Sequence, residues 1–326
     1  MTEKTFAQAM FDALSLSMEQ DATISVFGAS SFVLGRGLPP ADEKAFIAKY
    51  EKRLFDPPVS ENVLASVGVG SATAGLRPFI NFGTSSFAFE AHNQIVNEAG
   101  NARYMSGGQL KVPLVYHMFH GIRGIGGAQH SQSPQSMYAN CPGLEVVLPS
   151  TPADAKGLMR TAIKSDNPTL FITHTKLLAT KGEVPDGDYA IPFAKGEVKR
   201  AGKDVTIVAM SLMVLEALKA AELLKAEGID AEVVDPRTVV PFDAKCVIES
   251  VKKTGRLVIL EEASLVCSVA SEISAIVAEQ AFEALKAPIV RVGRPHVPMP
   301  YSPSLEAFCA PDAPKLVEAV KKLLKK

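Results

Sequence analysis

Charge of either sign is not in excess. The 34 Lys and Arg residues stand against 35 Asp and Glu, a formal net charge of −1 over 326 residues. That balance leaves no electrostatic footprint for nucleic acid or an anionic membrane surface. Paired cysteines are missing too. Of Cys141, Cys246, Cys267 and Cys309, no two stand at C-x-x-C spacing, which weighs against a zinc or thiol-redox motif. Scattered single thiols in a chain this long point to a reducing compartment. No run reaches the ~18 apolar residues a membrane helix needs. The start, MTEKTFAQAMFDALSLSMEQD, lacks the unbroken apolar stretch of a secretory signal. A cytoplasmic protein is expected. Tandem repeats and low-complexity tracts are absent.

Apolar residues, by contrast, are plentiful: 47% of the chain, with a mean hydropathy of +0.13. That allows a large core and a large buried subunit interface, and the length suits two domains. In the second half, strand and helix alternate with short connections. DVTIVAM, DAEVVD, RLVILEE and APIVRVG read as strands. SLMVLEALKAAELLKAEG is a helix with Val214, Leu215, Leu218, Ala221 and Leu224 on one face, stopped by Gly228. PFDAKCVIESVKKTG is a helix capped by Asp243 and ended by Gly255. Another helix is expected from about Ser268 to Leu285. The basic tail KLVEAVKKLLKK closes an amphipathic helix whose lysines favourably oppose the helix dipole.

The first half alternates less cleanly. ATISVFG, RPFINF, VPLVYHMF, LEVVLPS and PTLFITH read as strands. SENVLASVGVGSATAG, with a Ser60 cap, and FAFEAHNQIVNEAG read as helices. TPADAKGLMRTAIKSD is a helix with a Thr cap, Pro at its first position and Asp154 in its first turn. The segment 182–203 is rich in Gly, Pro and charge and is taken as the boundary. The expectation is an α/β chain of two parallel-sheet domains, 1–190 and 200–326.

Two residues invite a chemical reading. HGIRGIGGAQHSQ contains no GK[ST], so it is not a P-loop, and it lacks G-x-G-x-x-G at a first strand–helix turn. Its glycines either let backbone approach a ligand or form a flexible connection. An unperturbed histidine side chain titrates near the physiological range, so His130, within it, suits a general acid or base; a hydrogen-bonded structural histidine is the alternative. No second His stands at i+3 or i+4, so a metal pair is not indicated. Glu61, in PPVSENVLASVG, is favoured there by the helix dipole alone. If Val63, Leu64 and Val67 bury it in part, it becomes a proton-sharing carboxyl instead.

The ordered motifs PVSENVLASVGVGSATAGLRPFI, NQIVNEAGNARYMSGGQLKVPLV, GGAQHSQS, PGLEVVLPSTPADAKGLMRTAIKSDNP and VPMPYSPSLE carry a resemblance nearly end to end. The chain resembles the beta subunits of thiamine-diphosphate-dependent 2-oxo acid dehydrogenases, the pyruvate, branched-chain 2-oxo acid and acetoin enzymes. The resemblance implies a thiamine-diphosphate pyrimidine-binding domain followed by a transketolase C-terminal-like domain. It implies that Glu61 hydrogen-bonds the aminopyrimidine N1′ and favours the imino tautomer. The exocyclic nitrogen then deprotonates thiazolium C2, and the cofactor acts as electron sink. Phe87 matches an aromatic lining the aminopyrimidine pocket, with a core phenylalanine as the alternative. His130 matches a histidine facing the substrate side, which relays protons in decarboxylation and acyl transfer to a lipoyl arm. Main-chain carbonyls matching Leu114, Ala162, Ile163, Ser165 and Asn167 hold a potassium ion.

The same resemblance implies a partner. The diphosphate end of the cofactor is held through Mg²⁺ by a GDG…N motif on an alpha subunit. Here DGD at 186–188 lies in the boundary segment, without that context. A heterotetramer with an alpha subunit, and a lipoyl-bearing acyltransferase, are the expected partners. The chain departs from its relatives at FGASS, where Ala29 replaces an acid, and at VYHMFHG, where His117 replaces a common arginine and Phe119 and His120 follow. It departs again at VCSVASEI. His117, His120 and Gln129 are therefore candidate substrate-side residues, and the substrate and acyl acceptor are left open. A two-chain transketolase-like carboligase is a second reading, and a non-catalytic scaffold subunit a third.

Overall fold

The structure is a computed structural model and describes residues 1–28 and 38–325. Ala29 lies outside the described residues. Two compact units form, one of Met1–His120 and Met137–Phe193, the other of Gly121–Ser136 and Ala194–Lys326.

In the first unit, strands β1 (Thr2–Thr5), β2 (Ile24–Phe27), β3 (Leu54–Phe55), β4 (Arg77–Thr84), β5 (Val115–His120), β6 (Glu145–Val147), β7 (Thr169–His174) and β8 (Lys181–Val184) appear in that order. Six of them make a sheet in the order β6-β7-β5-β4-β2-β3, with every pair parallel. Parallel strands are covered on both faces, which is why β5 and β7 are buried throughout. The helix Phe6–Gln20 opens with a reciprocal cap. Thr5 Oγ1 accepts from Gln8 N (3.1 Å) and Gln8 Oε1 accepts from Thr5 N (2.9 Å), satisfying two otherwise unpaired donors. This helix packs on Pro152–Lys164, whose Thr151 cap forms as expected.

The sequence read as one helix across FAFEAHNQIVNEAG is three pieces. A 3₁₀ turn covers Phe87–Phe89, a π-helical turn covers Gln94–Ala99, and an α-helix covers Gly100–Met105. Gly100, at the start of the last piece, lies against Gly143 (φ +88°), where a Cβ would sit 2.0 Å from the Gly100 carbonyl oxygen. The chains touch backbone to backbone, and only glycine allows it.

The second unit carries β9 (Glu197–Arg200), β10 (Val205–Ala209), β11 (Ala231–Asp235), β12 (Thr238–Val240), β13 (Leu257–Ser264) and β14 (Val290–Arg294). Its five-stranded sheet runs β14-β13-β10-β11-β9. Three pairings are parallel, while β9 pairs antiparallel with β11. So the segment read as a boundary supplies two strands. β8 pairs with β1, and β9 edges the second sheet. Both carry the polar tetrapeptide KGEV at or near their start, and polar residues on edge strands conceal a strand from a hydrophobic-pattern reading. The helix Leu212–Ala226 buries Met213, Val214, Ala217, Ala220, Ala221 and Leu224. Leu215 and Leu218 are only half-buried. Asp243 caps Ala244–Thr254 by accepting from Cys246 N (3.1 Å), and Gly255 ends that helix at φ +74°. No helix among the described residues is long and apolar enough to cross a membrane.

Candidate active site

Glu61 is the first residue of the helix Glu61–Thr73. Ser60 is extended before it but does not cap with its side chain; its hydroxyl donates to Asn62 Oδ1 (2.6 Å). The helix is seated by Leu64, Ala65, Gly68 and Ala72. Gly68 faces Ile80 of β4, and Tyr116 of β5 donates to the Ala65 carbonyl (3.3 Å). Glu61 is half-buried, and its carboxylate meets no hydrogen-bond or ion-pair partner among the described residues. Of the apolar residues expected to bury it in part, Val63, Leu64 and Val67, one is itself buried. Only Leu64 is buried; Val59, Val63 and Val67 are 90%, 49% and 36% exposed. The apolar face beside the acid is turned outward.

Phe87 follows β4 in the 3₁₀ turn and is 37% exposed, so it is not a core phenylalanine. The C-terminal ends of parallel strands are where α/β sheets offer ligand sites, and here they present histidines. His120 ends β5 and is 5% exposed. It stands edge-on to His174, which ends β7, at 5.2 Å between centroids. The strand register pairs the two residues directly. His174 was missed by the sequence reading, although VYHMFH and PTLFITH both end in histidine.

His117 does not reach a substrate. It is fully buried, with Nδ1 2.8 Å from Asn81 Oδ1 and Nε2 3.0 Å from Thr173 Oγ1. Asn81 Nδ2 donates to the Gly28 carbonyl (3.3 Å), which leaves its Oδ1 to accept from the His117 Nδ1–H. Phe79 stacks on the ring and Phe119 meets it edge-on. The ring is fastened inside the sheet, which corrects its expected substrate-side role.

His130 falls in the second unit, in the segment Gly121–Ser136. It is half-buried and Gln129 is exposed. The segment closes on itself where Gly121 N donates to the Gln132 carbonyl (2.9 Å). Its turns use Gly124 (φ +88°) and Gly127 (φ +62°), and Ile125 takes φ +46°. A β-branched residue there is strained, and such strain gathers at functional loops. The side chains of Ser131, Ser133 and Gln135 each carry a buried oxygen with no hydrogen-bond partner among the described residues.

The carbonyls of the expected potassium site have partners of their own. Arg77 Nη1 donates to the Ile163 carbonyl (3.1 Å) and the Ser165 carbonyl (2.9 Å). Arg77 Nη2 pairs with Asp166 (2.9 Å), which Lys111 also meets (2.7 Å). The Leu114 carbonyl accepts from Thr169 N (2.9 Å) and the Ala162 carbonyl from Ser165 N (3.2 Å). Asn167 works through its side chain, accepting from Arg103 and donating to Glu145. A guanidinium takes two of the five oxygens assigned to the ion, those of Ile163 and Ser165, and its positive charge opposes a potassium ion there. The Lys111 hydrogen bond, with that of Arg77, holds the Asp166 carboxyl below the usual range despite its burial. Exchanging potassium for sodium at equal ionic strength is therefore expected to leave the melting temperature within about 1 °C, since an ion that does not bind stabilises nothing. A potassium-specific rise of several degrees in a thermal melt would restore the ion.

The DGD stretch is likewise structural. Asp186 accepts from the N-terminal amine (2.8 Å) and Thr2 (2.7 Å). Asp188 takes a two-point grip from Arg160 (2.8 and 2.7 Å). No group of three or more His, Cys, Asp or Glu able to hold a metal is present among the described residues.

Comparison with known proteins agrees along the whole chain. The model for the transketolase pyrimidine binding domain matches residues 3–181, and that for the transketolase C-terminal domain matches 194–316. The beta subunit of acetoin:2,6-dichlorophenolindophenol oxidoreductase from Cupriavidus necator is 42% identical, over 97% of this chain and 96% of that one. The beta subunit of 2-oxoisovalerate dehydrogenase from Bacillus subtilis is 38% identical over 99% of each. The beta subunit of the pyruvate dehydrogenase E1 component from Rickettsia felis is 40% identical over 98% of each. Among solved structures, a split-gene transketolase in an inactive β4 tetramer aligns with a TM-score of 0.79 at 27% identity, over 98% of both chains.

Proposed function

This chain belongs to the family of 2-oxo acid and acetoin dehydrogenase beta subunits, and on that premise we propose that it supplies the pyrimidine half of a thiamine diphosphate site. An alpha subunit carrying a GDG…N motif would hold the diphosphate end through Mg²⁺. The observation that carries the reading is Glu61: a half-buried carboxylate at a helix N-terminus, without a partner among the described residues and beside an apolar face turned outward. Such an acid fits a ring nitrogen that must share a proton, and a covering partner would complete its desolvation.

When bound, thiamine diphosphate supplies the electron sink that cleavage of a bond beside a carbonyl requires. Glu61 would hold the proton at the pyrimidine nitrogen. Phe87, exposed at the end of β4, would line that ring. His130, whose imidazole can both accept and donate a proton, would move a proton at the substrate carbonyl. His120 and Gln129 remain candidates for the substrate side. The acyl group would pass to a lipoyl-bearing acyltransferase, in the cytoplasm, where the four free thiols are stable.

The test is reconstitution with the alpha subunit, followed by reduction of 2,6-dichlorophenolindophenol with acetoin, pyruvate or 2-oxoisovalerate. His130→Ala is expected to lower turnover at least about a hundredfold, the scale of general acid–base catalysis, with thiamine diphosphate affinity unchanged. Equal turnover in the variant would remove His130 from the chemistry. A carboligase is the second reading, favoured by the likeness to the split-gene transketolase. Ketol transfer to an aldehyde acceptor, with no lipoyl acylation, would select it.

A further inference from the structure

Residues Gly121–Ser136 have little regular structure before Gln135, yet they are not loosely held. Three groups from the second unit's sheet grip them. Glu262 Oε1 accepts from Ile122 N (3.1 Å). Glu261 Oε1 accepts from Gln135 Nε2 (2.9 Å). Arg294 Nη1 donates to the Ser131 carbonyl (3.2 Å). The grips fall near the beginning of the segment, just after His130, and at the start of the short helix Gln135–Ala139.

The strand geometry explains how two neighbouring acids can both serve. Successive side chains on a regular strand point to opposite faces. Here the pairing of β13 with β14 shifts register between Leu260 and Ser264, and Glu261 and Glu262 lie within that break. Irregularities of this kind re-aim side chains and gather near functional sites. Both acids are almost completely buried, at 3% and 5% exposure. Burial pushes the Glu261 carboxyl above its usual range, although Ala270 N (2.8 Å) and Gln135 donate to it. Burial likewise pulls the Arg294 guanidinium down, against the opposing charge of Glu262. Buried polar groups kept at such cost need a role, and their hydrogen bonds lead to the His130 segment.

We propose that Glu261, Glu262 and Arg294 are positioning residues that fix the segment carrying His130. None of them is assigned contact with substrate or cofactor. The inference rests on the proposed role of His130, and the experiment separates the two. In the reconstituted enzyme, hydrogen–deuterium exchange is followed on peptides covering residues 121–136, together with dye-reduction kinetics. Glu262→Ala and Arg294→Ala are expected to raise exchange in those peptides about tenfold or more, because each grip removed favours local opening. They should lower kcat with little change in KM, since binding groups stay in place while the imidazole is displaced. Glu262→Gln keeps an acceptor for Ile122 N, and Arg294→Lys keeps a donor for the Ser131 carbonyl. Both should recover exchange protection and most of kcat, which a merely unfolded variant would not. Unchanged exchange in the alanine variants overturns the proposal. So does raised exchange with full kcat, provided His130→Ala is inactive. If His130→Ala is fully active, the catalytic reading falls, and exchange alone decides whether the three residues hold the segment.

Discussion

Replacing Glu61 with glutamine is expected to lower turnover of the reconstituted enzyme by about a hundredfold to ten-thousandfold, the span of a lost proton-transfer group. Glutamine matches glutamate in size and can still hydrogen-bond, but its amide does not accept and return a proton near neutral pH. The fold should not notice. Glu61 has no partner among the described residues, and the lost attraction to the helix dipole is about 0.3–1 kcal/mol. Melting temperature and assembly with the alpha subunit should therefore match the unaltered protein. The measurement is dye reduction beside a thermal melt. Full activity in Glu61→Gln would mean the chain only scaffolds its partner, the one non-catalytic reading its sequence allows.

The largest expected effect on stability lies elsewhere in the first unit, at Arg160. Arg160 is 1% exposed. Asp188 holds its guanidinium at two points, Gln20 Oε1 accepts at 2.6 Å, and Ser17 Oγ accepts as well. Asp188→Ala leaves a buried cation without its counter-charge. Breaking a buried pair costs about 3–5 kcal/mol. Asp188 is itself 36% exposed, so the low end, about 3 kcal/mol, applies. The first melting transition should fall by about 6–12 °C. The pH dependence has a definite sign. The Arg160 hydrogen bond holds the Asp188 carboxyl below its usual range. Its contribution is thus present above the unfolded carboxyl's pKa of about 3.9 and disappears as pH falls through the lower folded value. Melts of the variant from neutral to acid pH should lack that component. An unchanged melt at neutral pH would show that Ser17 and Gln20 suffice.

Much of the fold was legible where one rule acted alone. Val205–Ala209 is a β-branched run before a clear helix signal, and Thr151, Asp243 and Gly255 mark helix ends through local chemistry. What stayed hidden depends on neighbours distant in sequence. The KGEV strands β8 and β9 form only because β1 and β11 offer edges. His117 looks like a free imidazole until Asn81 and Thr173 close on it. The carbonyls of Ile163 and Ser165 look available to an ion until Arg77, more than 80 residues earlier, reaches them. Glu61 and His130 were readable as residue types, but no spacing told which side of Glu61 faces outward. Glu261 and Glu262 read simply as the end of a strand, since nothing local announces a register break.

The division of the chain has a consequence for how such a protein can be cut and rejoined. Residues Gly121–Ser136 belong with the second unit although the first unit resumes at Met137. A gene fragment ending at Phe193 would encode the His130 segment without the acids and arginine that grip it. One ending at His120 would lose β6 and β7, and with them one side of the first unit's sheet beyond β5. Single-crossover recombination between relatives should therefore yield few working chimaeras wherever the 121–136 segment and β13 come from different parents, and survivors should inherit the two together.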